Sequence, residues 1–156
     1  YKVAEILEKC GVKGNLALNN CLTNSMMLSS DVSAAFDPNY PQVFEQKNAA
    51  FFGKGIVFNK FTGSRGKSGS NDANPEFFAK VRKVLDDNKI PFQTAELGRV
   101  DQGGGGTIAY ITAILNMEVI DAGIAVQNMH ACYETASKAD IYEAYLGYKA
   151  FLKDIK

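Results

Sequence analysis

Short strand-like segments alternate with helix-like segments along this chain, and that alternation limits the fold more than any other feature. Apolar, β-branched and aromatic residues predict strands at 26–28, 56–61, 91–96 and 118–126, and glycines bound the segment 56–61 on both sides. Apolar residues at helical spacing predict helices between them. This pattern is typical of an α/β fold, in which helices cover a sheet and sites gather at the carboxyl ends of strands.

Capping residues mark where two of the helices begin. Asn74 followed by Pro75 opens one helix, because the amide oxygen can accept a free backbone N–H and proline suits the first turn. Ser137, with Asp140 three residues later, resembles a capping box at the start of a long terminal helix. The apolar faces predicted for these two helices consist of Phe78, Val81, Val84 and Leu85, and of Ile141, Tyr145, Tyr148 and Leu152.

The size and charge of the chain exclude several classes of function. A chain of 156 residues has room for one domain. Its 17 Lys and Arg residues balance its 17 Asp and Glu residues, so no overall field attracts nucleic acid or an anionic membrane. No apolar run reaches the roughly 18 to 20 residues of a membrane-spanning helix. We expect a cytoplasmic protein that binds neither nucleic acid nor membrane.

The three cysteines predict neither a disulfide framework nor a structural zinc site. Cys10, Cys21 and Cys132 are odd in number and form no CxxC pair. Free cysteine is among the most frequently buried residues. We therefore expect reduced and mostly buried thiols.

Two side chains are candidate metal ligands, although the residues alone leave each open. His130, the single histidine, follows a predicted strand, where a neutral imidazole could bind a metal or simply make a structural hydrogen bond. Asp31 follows two serines at the end of another predicted strand. Its carboxylate could be a ligand or could bond to the amides of a turn.

A run of four glycines, 103–106, precedes Thr107, which opens a predicted helix. Glycine lets the backbone approach a ligand closely, and the amide end of a helix favours anions. A phosphate loop is one interpretation, but the GxxxxGK[ST] spacing is missing here. The segment 64–70 lacks it too, and its Arg65 and Lys67 are interpreted as solvated loop residues.

A complete catalytic set cannot be assembled from the residues alone. No GxSxG motif is present, and Cys132 is too close in sequence to His130 for the usual nucleophile and base. One histidine with scattered carboxylates does not complete a metal site. If the chain is part of an enzyme, some of its machinery is missing.

Four segments in order resemble the bacterial M18 aminopeptidases, which are aspartyl aminopeptidase-like zinc enzymes. They are Ser29-Ser30-Asp31-Val32 continuing to Tyr40, Phe61-Thr62-Gly63-Ser64 continuing to Ala73, the 101–107 loop, and Met129-His130-Ala131. The resemblance implies a fold that is part of a zinc-exopeptidase-type mixed sheet flanked by helices. It also implies an aminopeptidase that uses two divalent metal ions, zinc by family resemblance, to remove N-terminal amino acids from peptides.

The resemblance assigns roles to particular residues. It implies that Asp31 binds one of two divalent metal ions and that His130 binds the other. It implies substrate contacts at Asn59, Gly105 and Thr107. Where aspartate-preferring members have a lysine, this chain has Asn59, so acidic specificity is not expected to carry over.

The resemblance also implies a fragment. Residues 1–156 match the carboxy-terminal segment of a single catalytic domain, and Tyr1 opens the chain without a methionine. The general base, the other ligands and an inserted oligomerisation domain precede this segment in the family, whose members are dodecamers. We expect no catalytic residue in this chain and no activity from it alone. The alternatives are a non-catalytic α/β scaffold or interaction module, and a nucleotide-binding protein that uses 103–106.

Overall fold

The computed structural model describes residues 1–64, 68–99 and 101–156. Its helices are α1 (Lys2–Lys9), α2 (Ala17–Thr23), α3 (Pro75–Asp87), α4 (Ala109–Ala113) and α5 (Lys138–Asp154), with short 3-10 turns at Pro41–Val43 and Gln46–Asn48. Its strands are β1 (Met26–Ser29), β2 (Ser33–Ala34), β3 (Ile56–Asn59), β4 (Phe61–Ser64), β5 (Ser68–Asp72), β6 (Phe92–Thr94), β7 (Glu118–Gly123), β8 (Ala125–Gln127) and β9 (Thr135–Ala136). Arg65 and Lys67, interpreted above as solvated, lie outside the described residues.

A four-stranded sheet in the order β1-β7-β3-β6 forms the centre of the fold. β1 is parallel to β7 and β3 is parallel to β6, whereas β3 and β7 are antiparallel. A second sheet has the order β2-β8-β9, and β4 pairs with β5 as a hairpin. The predicted α/β class, a mixed sheet flanked by helices, is confirmed.

One face of the central sheet packs against α3 and α5 and forms the main core. The strands contribute Ile56, Phe58, Ile120 and Ala122, and the helices contribute Phe77, Val81, Val84, Leu85, Ala144, Ala150 and Phe151. Helix α5 approaches β3 closely because it presents small residues there. A Cβ atom on Gly147 would lie 2.1 Å from Cδ1 of Ile56. Removing these apolar side chains from water is the main stabilising contribution on this face.

The opposite face of the sheet becomes polar at one end. Side chains alternate along a strand, so Asn59 and Asp121 point away from the apolar core. Ser29 of β1, Asp121 of β7 and Asn59 of β3 occupy adjacent register positions, and all three are buried. The β4–β5 hairpin covers this face, where the Asn71 side chain donates to the carbonyl of Val119 at 3.1 Å. This polar end positions the candidate site.

The capping residues act largely as predicted. The Asn74 side chain accepts a hydrogen bond from the Glu76 amide, with Pro75 in the first turn of α3. The Ser137 side chain accepts from the Asp140 amide at the start of α5. The second half of the predicted capping box differs, because the Asp140 carboxylate bonds to another segment.

The predicted apolar face of the terminal helix is wrong for three of its four residues, and Tyr148 alone among the four packs against the core. Ile141, Tyr145 and Leu152 are exposed, and the buried face of α5 consists of Asp140, Ala144, Gly147, Ala150 and Phe151. In α3, Phe77 is buried and Phe78 is only partly buried. In both helices the residues that face the sheet are those that match the space available, and the largest apolar residues are not always among them.

Two loop and strand predictions also need correction. The segment 64–70 is interpreted above as a loop, but its described residues lie in the β4–β5 hairpin, whose pairs include Ser64 with Ser68. The strand predicted at 118–126 is two strands, because the chain leaves the central sheet at Ile124 and enters the second sheet. Both the hairpin and the division into two strands result from backbone pairing between distant segments, which local composition does not predict.

The cysteine prediction fails for burial. All three thiols are free, but Cys10 and Cys132 are exposed and Cys21 is half-buried. Within the part of the chain that the structure describes, no helix is long and apolar enough to cross a membrane.

Substitution of Asp140 tests the hydrogen bonds that connect α5 to the segment just before β3. The buried carboxylate accepts hydrogen bonds from the amides of Gly53 and Gly55, each at 2.8 Å. Asp140→Ala leaves two buried donors without their charged acceptor, so the free energy of unfolding should fall by about 3 kcal/mol in urea titrations of the chain.

A matched control is Asp87→Ala, which removes an exposed carboxylate bonded to Lys83 at 2.8 Å. Exposed ion pairs contribute little, so its unfolding free energy should change by less than about 1 kcal/mol. Equal effects of the two substitutions would contradict the anchoring role of Asp140.

Candidate functional site

A cavity of about 530 Å³ opens at the polar end of the fold. Segments that are distant in sequence meet there, among them the loop after β1, the glycine run before α4, and the loop after β8. The lining residues are Asp31, Val32, Ala34, Val43, Phe44, Leu97, Gly98, Gly104, Gly105, Gly106, Thr107, Met129, His130 and Glu134. Both predicted metal ligands and two of the three predicted substrate-binding residues therefore line one cavity.

Asp31 is half-buried in the turn that joins β1 to β2. Its Oδ1 accepts a hydrogen bond from the Val32 amide at 2.9 Å. The turn lies directly on β7, since a Cβ atom on Gly123 would fall 1.6 Å from the backbone oxygen of Asp31. Only glycine allows this approach, so Gly123 fixes where the Asp31 carboxylate lies.

His130, which also lines the cavity, lies in an unusual backbone conformation. Its φ is 69° and that of Asn128 is 57°, both in the left-handed region that few non-glycine residues adopt. The His130 amide donates to Oε1 of Glu134 at 2.7 Å, and the Ala131 amide donates to the carbonyl of Asn128 at 2.9 Å. Backbone strain of this kind clusters at functional sites, and the Glu134 carboxylate helps to hold it.

The donors present suit a divalent cation, although they are too few to enclose one. Carboxylate oxygen and imidazole nitrogen are both ligands of zinc. Among the described residues, no group of three or more His, Cys, Asp or Glu side chains lies close enough to hold a metal ion. Asp31 and His130 can therefore contribute to a metal site only together with ligands from outside these residues.

The predicted substrate-binding residues are placed differently from one another. Gly105 lines the cavity, and a Cβ atom there would meet nothing within 4 Å. Thr107 lines the cavity but is largely buried. Asn59 is 1% exposed, does not line the cavity, and bonds to the hydroxyl of Ser33 at 3.2 Å. The roles assigned to all three stay predictions.

A buried carboxyl that sequence reasoning missed lies directly behind the cavity. Oδ2 of Asp121 accepts hydrogen bonds from the hydroxyls of Thr107 at 2.9 Å and Thr62 at 3.4 Å. Oδ1 of Asp121 and the hydroxyl of neighbouring Ser29 have no partner among the described residues. Burial, followed by the nearby Asp31 carboxylate, raises the pKa of Asp121 to about 6.

The signal that could have found Asp121 is its place in the sequence. It is a single acidic residue within the apolar strand segment Val119 to Ala122. A carboxyl buried on a central strand costs free energy unless donors surround it, so such a residue has partners to be found. Glu134 carries no comparable signal, because it lies in a polar loop four positions after His130.

Together, the fold and the cavity define an α/β protein with a carboxylate and an imidazole lining one cavity at the end of a mixed sheet. The chain belongs to the M18 family, described as aminopeptidase I zinc metalloprotease, whose family model matches residues 3–152.

Individual relatives agree with the family model. A probable M18 family aminopeptidase 1 from Clostridium acetobutylicum is 63% identical over 152 residues, which is 97% of this chain and 33% of the relative. The crystal structure of aminopeptidase I from that organism matches at 61% identity with a TM-score of 0.87, covering 98% of this chain and 32% of that one. The structure of the S. cerevesiae mApe1 dodecamer shares the fold at 20% identity, with a TM-score of 0.73, over 97% of this chain and 33% of that one. This chain spans about one third of the length of the relatives that it matches.

Proposed function

We propose that the protein to which this chain belongs is a metal-dependent aminopeptidase that hydrolyses N-terminal residues from peptides. In this proposal, residues 1–156 form the carboxy-terminal segment of a single catalytic domain. The observation that supports it is the convergence of Asp31 and His130, which lie 99 positions apart, on one cavity in a chain of the M18 family. Ligands that come from different strand ends are expected in an α/β fold.

Each ligand has a distinct role in the proposed site. Asp31 binds one of two divalent metal ions, zinc by the description of the family, and His130 binds the other. When bound, paired cations lower the pKa of water and stabilise the charge that develops on the substrate carbonyl. The residues of this chain hold the ligands in place: Gly123 fixes the turn of Asp31, and Glu134 fixes the backbone of His130.

The peptide is proposed to lie along the glycine run. Gly105 offers backbone without side chain at the cavity wall, and Thr107 closes that wall. The Asn59 side chain is buried at the polar end of the sheet and does not line the cavity, so a contact with substrate would require movement of the residues that cover it. Specificity for acidic N-terminal residues is not part of the proposal.

The proposal includes a homo-oligomeric, cytoplasmic enzyme. A dodecamer is inferred from the family, and the balanced charge of the chain favours neither nucleic acid nor membrane as a partner. In the proposal, the second domain needed for that assembly lies outside residues 1–156.

The test compares the full-length gene product with the 156-residue chain. The full-length protein should release N-terminal residues from peptides, lose that activity to a chelator and regain it with zinc. The chain alone should show none, since the general base and further ligands lie outside it in the proposal. A full-length protein inactive with every divalent metal would favour the non-catalytic scaffold, and turnover by the chain alone would overturn the assignment of the missing groups.

A further inference from the structure

The glycine run has few interactions that fix its conformation. Gly104, Gly105 and Gly106 have no side chains, and glycine loses more conformational freedom on ordering than any other residue. Within the described ranges, no backbone amide from Gly104 to Thr107 donates to a backbone carbonyl. Thr107 is the first side chain after the run, and its hydroxyl donates to the buried Asp121 carboxyl at 2.9 Å.

Close backbone contacts fix only the first part of the run. A Cβ atom on Gly103 would lie 2.2 Å from the carbonyl oxygen of Val43, and one on Gly104 would lie 2.5 Å from that of Leu97. A Cβ atom on Gly105 would meet nothing within 4 Å, and one on Gly106 would lie 3.2 Å from the carbonyl oxygen of Gly69 in β5, so the contacts beyond Gly104 are looser but not absent. At this looser end of the run, the hydrogen bond of Thr107 to Asp121 is the side-chain contact that holds the cavity wall in place.

Asp121 is suited to act as that anchor. It lies on the central strand β7, is fully buried, and accepts a second hydrogen bond from Thr62 of β4. One carboxyl thus joins the sheet, the hairpin and the glycine run. We infer that Asp121 is a positioning residue, which holds Thr107 as a hydrogen-bond acceptor and thereby sets the cavity wall against which the peptide lies. This inference rests on the proposed function.

The test uses the full-length protein with two disruptive variants and two conservative ones. Thr107→Val keeps the shape and removes the donor, and Asp121→Ala removes the acceptor. Each should lower kcat/KM by about tenfold or more, chiefly through a raised KM, because the wall is no longer held. Thr107→Ser and Asp121→Asn retain a donor and an acceptor, so each should restore kcat/KM to within about threefold of the wild type.

Three further measurements separate positioning from a general structural role. Amide hydrogen exchange in the peptide that contains residues 104–107 should quicken by about tenfold in Thr107→Val and Asp121→Ala, and zinc content should stay at the wild-type level. The double variant should be no worse than the worse single variant, since both remove one interaction. The matched control is Thr112→Val in α4, whose hydroxyl bonds to the carbonyl of Ala109 outside the cavity lining, and it should match the wild type.

The other possible results would overturn either the proposed function or the positioning role of Asp121. An inactive wild-type protein would overturn the proposed function. An active wild type with unchanged kcat/KM or unchanged loop exchange in Thr107→Val would overturn this inference alone. Equal losses in Thr107→Val and Thr112→Val would do the same. If Asp121→Ala does not fold, the comparison of Thr107→Val with Thr107→Ser remains sufficient.

Discussion

In the full-length protein, Asp31→Ala and His130→Ala should each lower kcat/KM by at least about 1,000-fold, which corresponds to roughly 4 kcal/mol of transition-state stabilisation. Each substitution removes one proposed ligand, so the affected metal ion would be lost or displaced. The measurements are peptide cleavage across a range of added zinc and the metal content of the purified protein. Both variants should bind less metal per chain than the wild type.

Asp37→Ala is a control matched in residue type and neighbourhood. Asp37 lies six positions after Asp31, and its Oδ1 accepts from the Asn39 amide at 2.8 Å, which makes it a turn aspartate outside the cavity lining. It should retain activity within about threefold of the wild type while losing a little stability. Retained activity in both Asp31→Ala and His130→Ala would contradict the ligand assignments.

Local signals predicted the parts of the fold that local chemistry decides. Asn74 and Pro75 mark the start of α3 because capping and proline geometry involve only neighbouring residues. The strands at Ile56–Asn59 and Phe92–Thr94 follow from β-branched and aromatic composition between turn residues. These elements needed no knowledge of distant contacts, so the sequence was sufficient for them.

Distant contacts explain the predictions that failed. Helix α5 presents two faces, and hydrophobicity alone favours the one with Ile141, Tyr145 and Leu152. The sheet instead packs against Ala144, Gly147 and Ala150, because small residues allow the helix to come close to Ile56. The packing distance is a property of two elements together, and the sequence of one helix does not contain it.

The candidate site also contains residues that the sequence predicted and residues that only distant contacts reveal. Asp31 and His130 are ambiguous as single residues, and the resemblance of whole segments singled them out. Their convergence on one cavity depends on the parallel pairing of β1 with β7 and of β2 with β8, which sequence reasoning did not predict. Asp121 was missed because its partners, Thr62 and Thr107, are 59 and 14 positions away.

The stability of the chain should depend on pH through Asp121. Burial raises the pKa of this carboxyl in the folded chain from the ordinary 3.8 to about 6, so the folded state holds its proton more tightly than the unfolded state does. The stabilisation from the bound proton is complete below about pH 3.8 and is lost as the pH rises through about 6. At about 1.36 kcal/mol per pH unit, the loss amounts to about 3 kcal/mol.

Asp121→Asn isolates this contribution, because an amide resembles the protonated carboxyl and does not titrate. The unfolding free energies of the wild type and of Asp121→Asn should be measured by urea titration from pH 3.5 to 7.5. Their difference cancels the other titrating groups, and the wild type should lose about 3 kcal/mol relative to the variant over that range, with most of the change between pH 4 and 6. Asp87→Asn, at an exposed carboxylate, should leave the wild-type slope almost unchanged. A constant difference between wild type and Asp121→Asn would show that the pKa of Asp121 is the same in the folded and unfolded chain, because the hydroxyls of Thr62 and Thr107 stabilise the anion enough to offset burial.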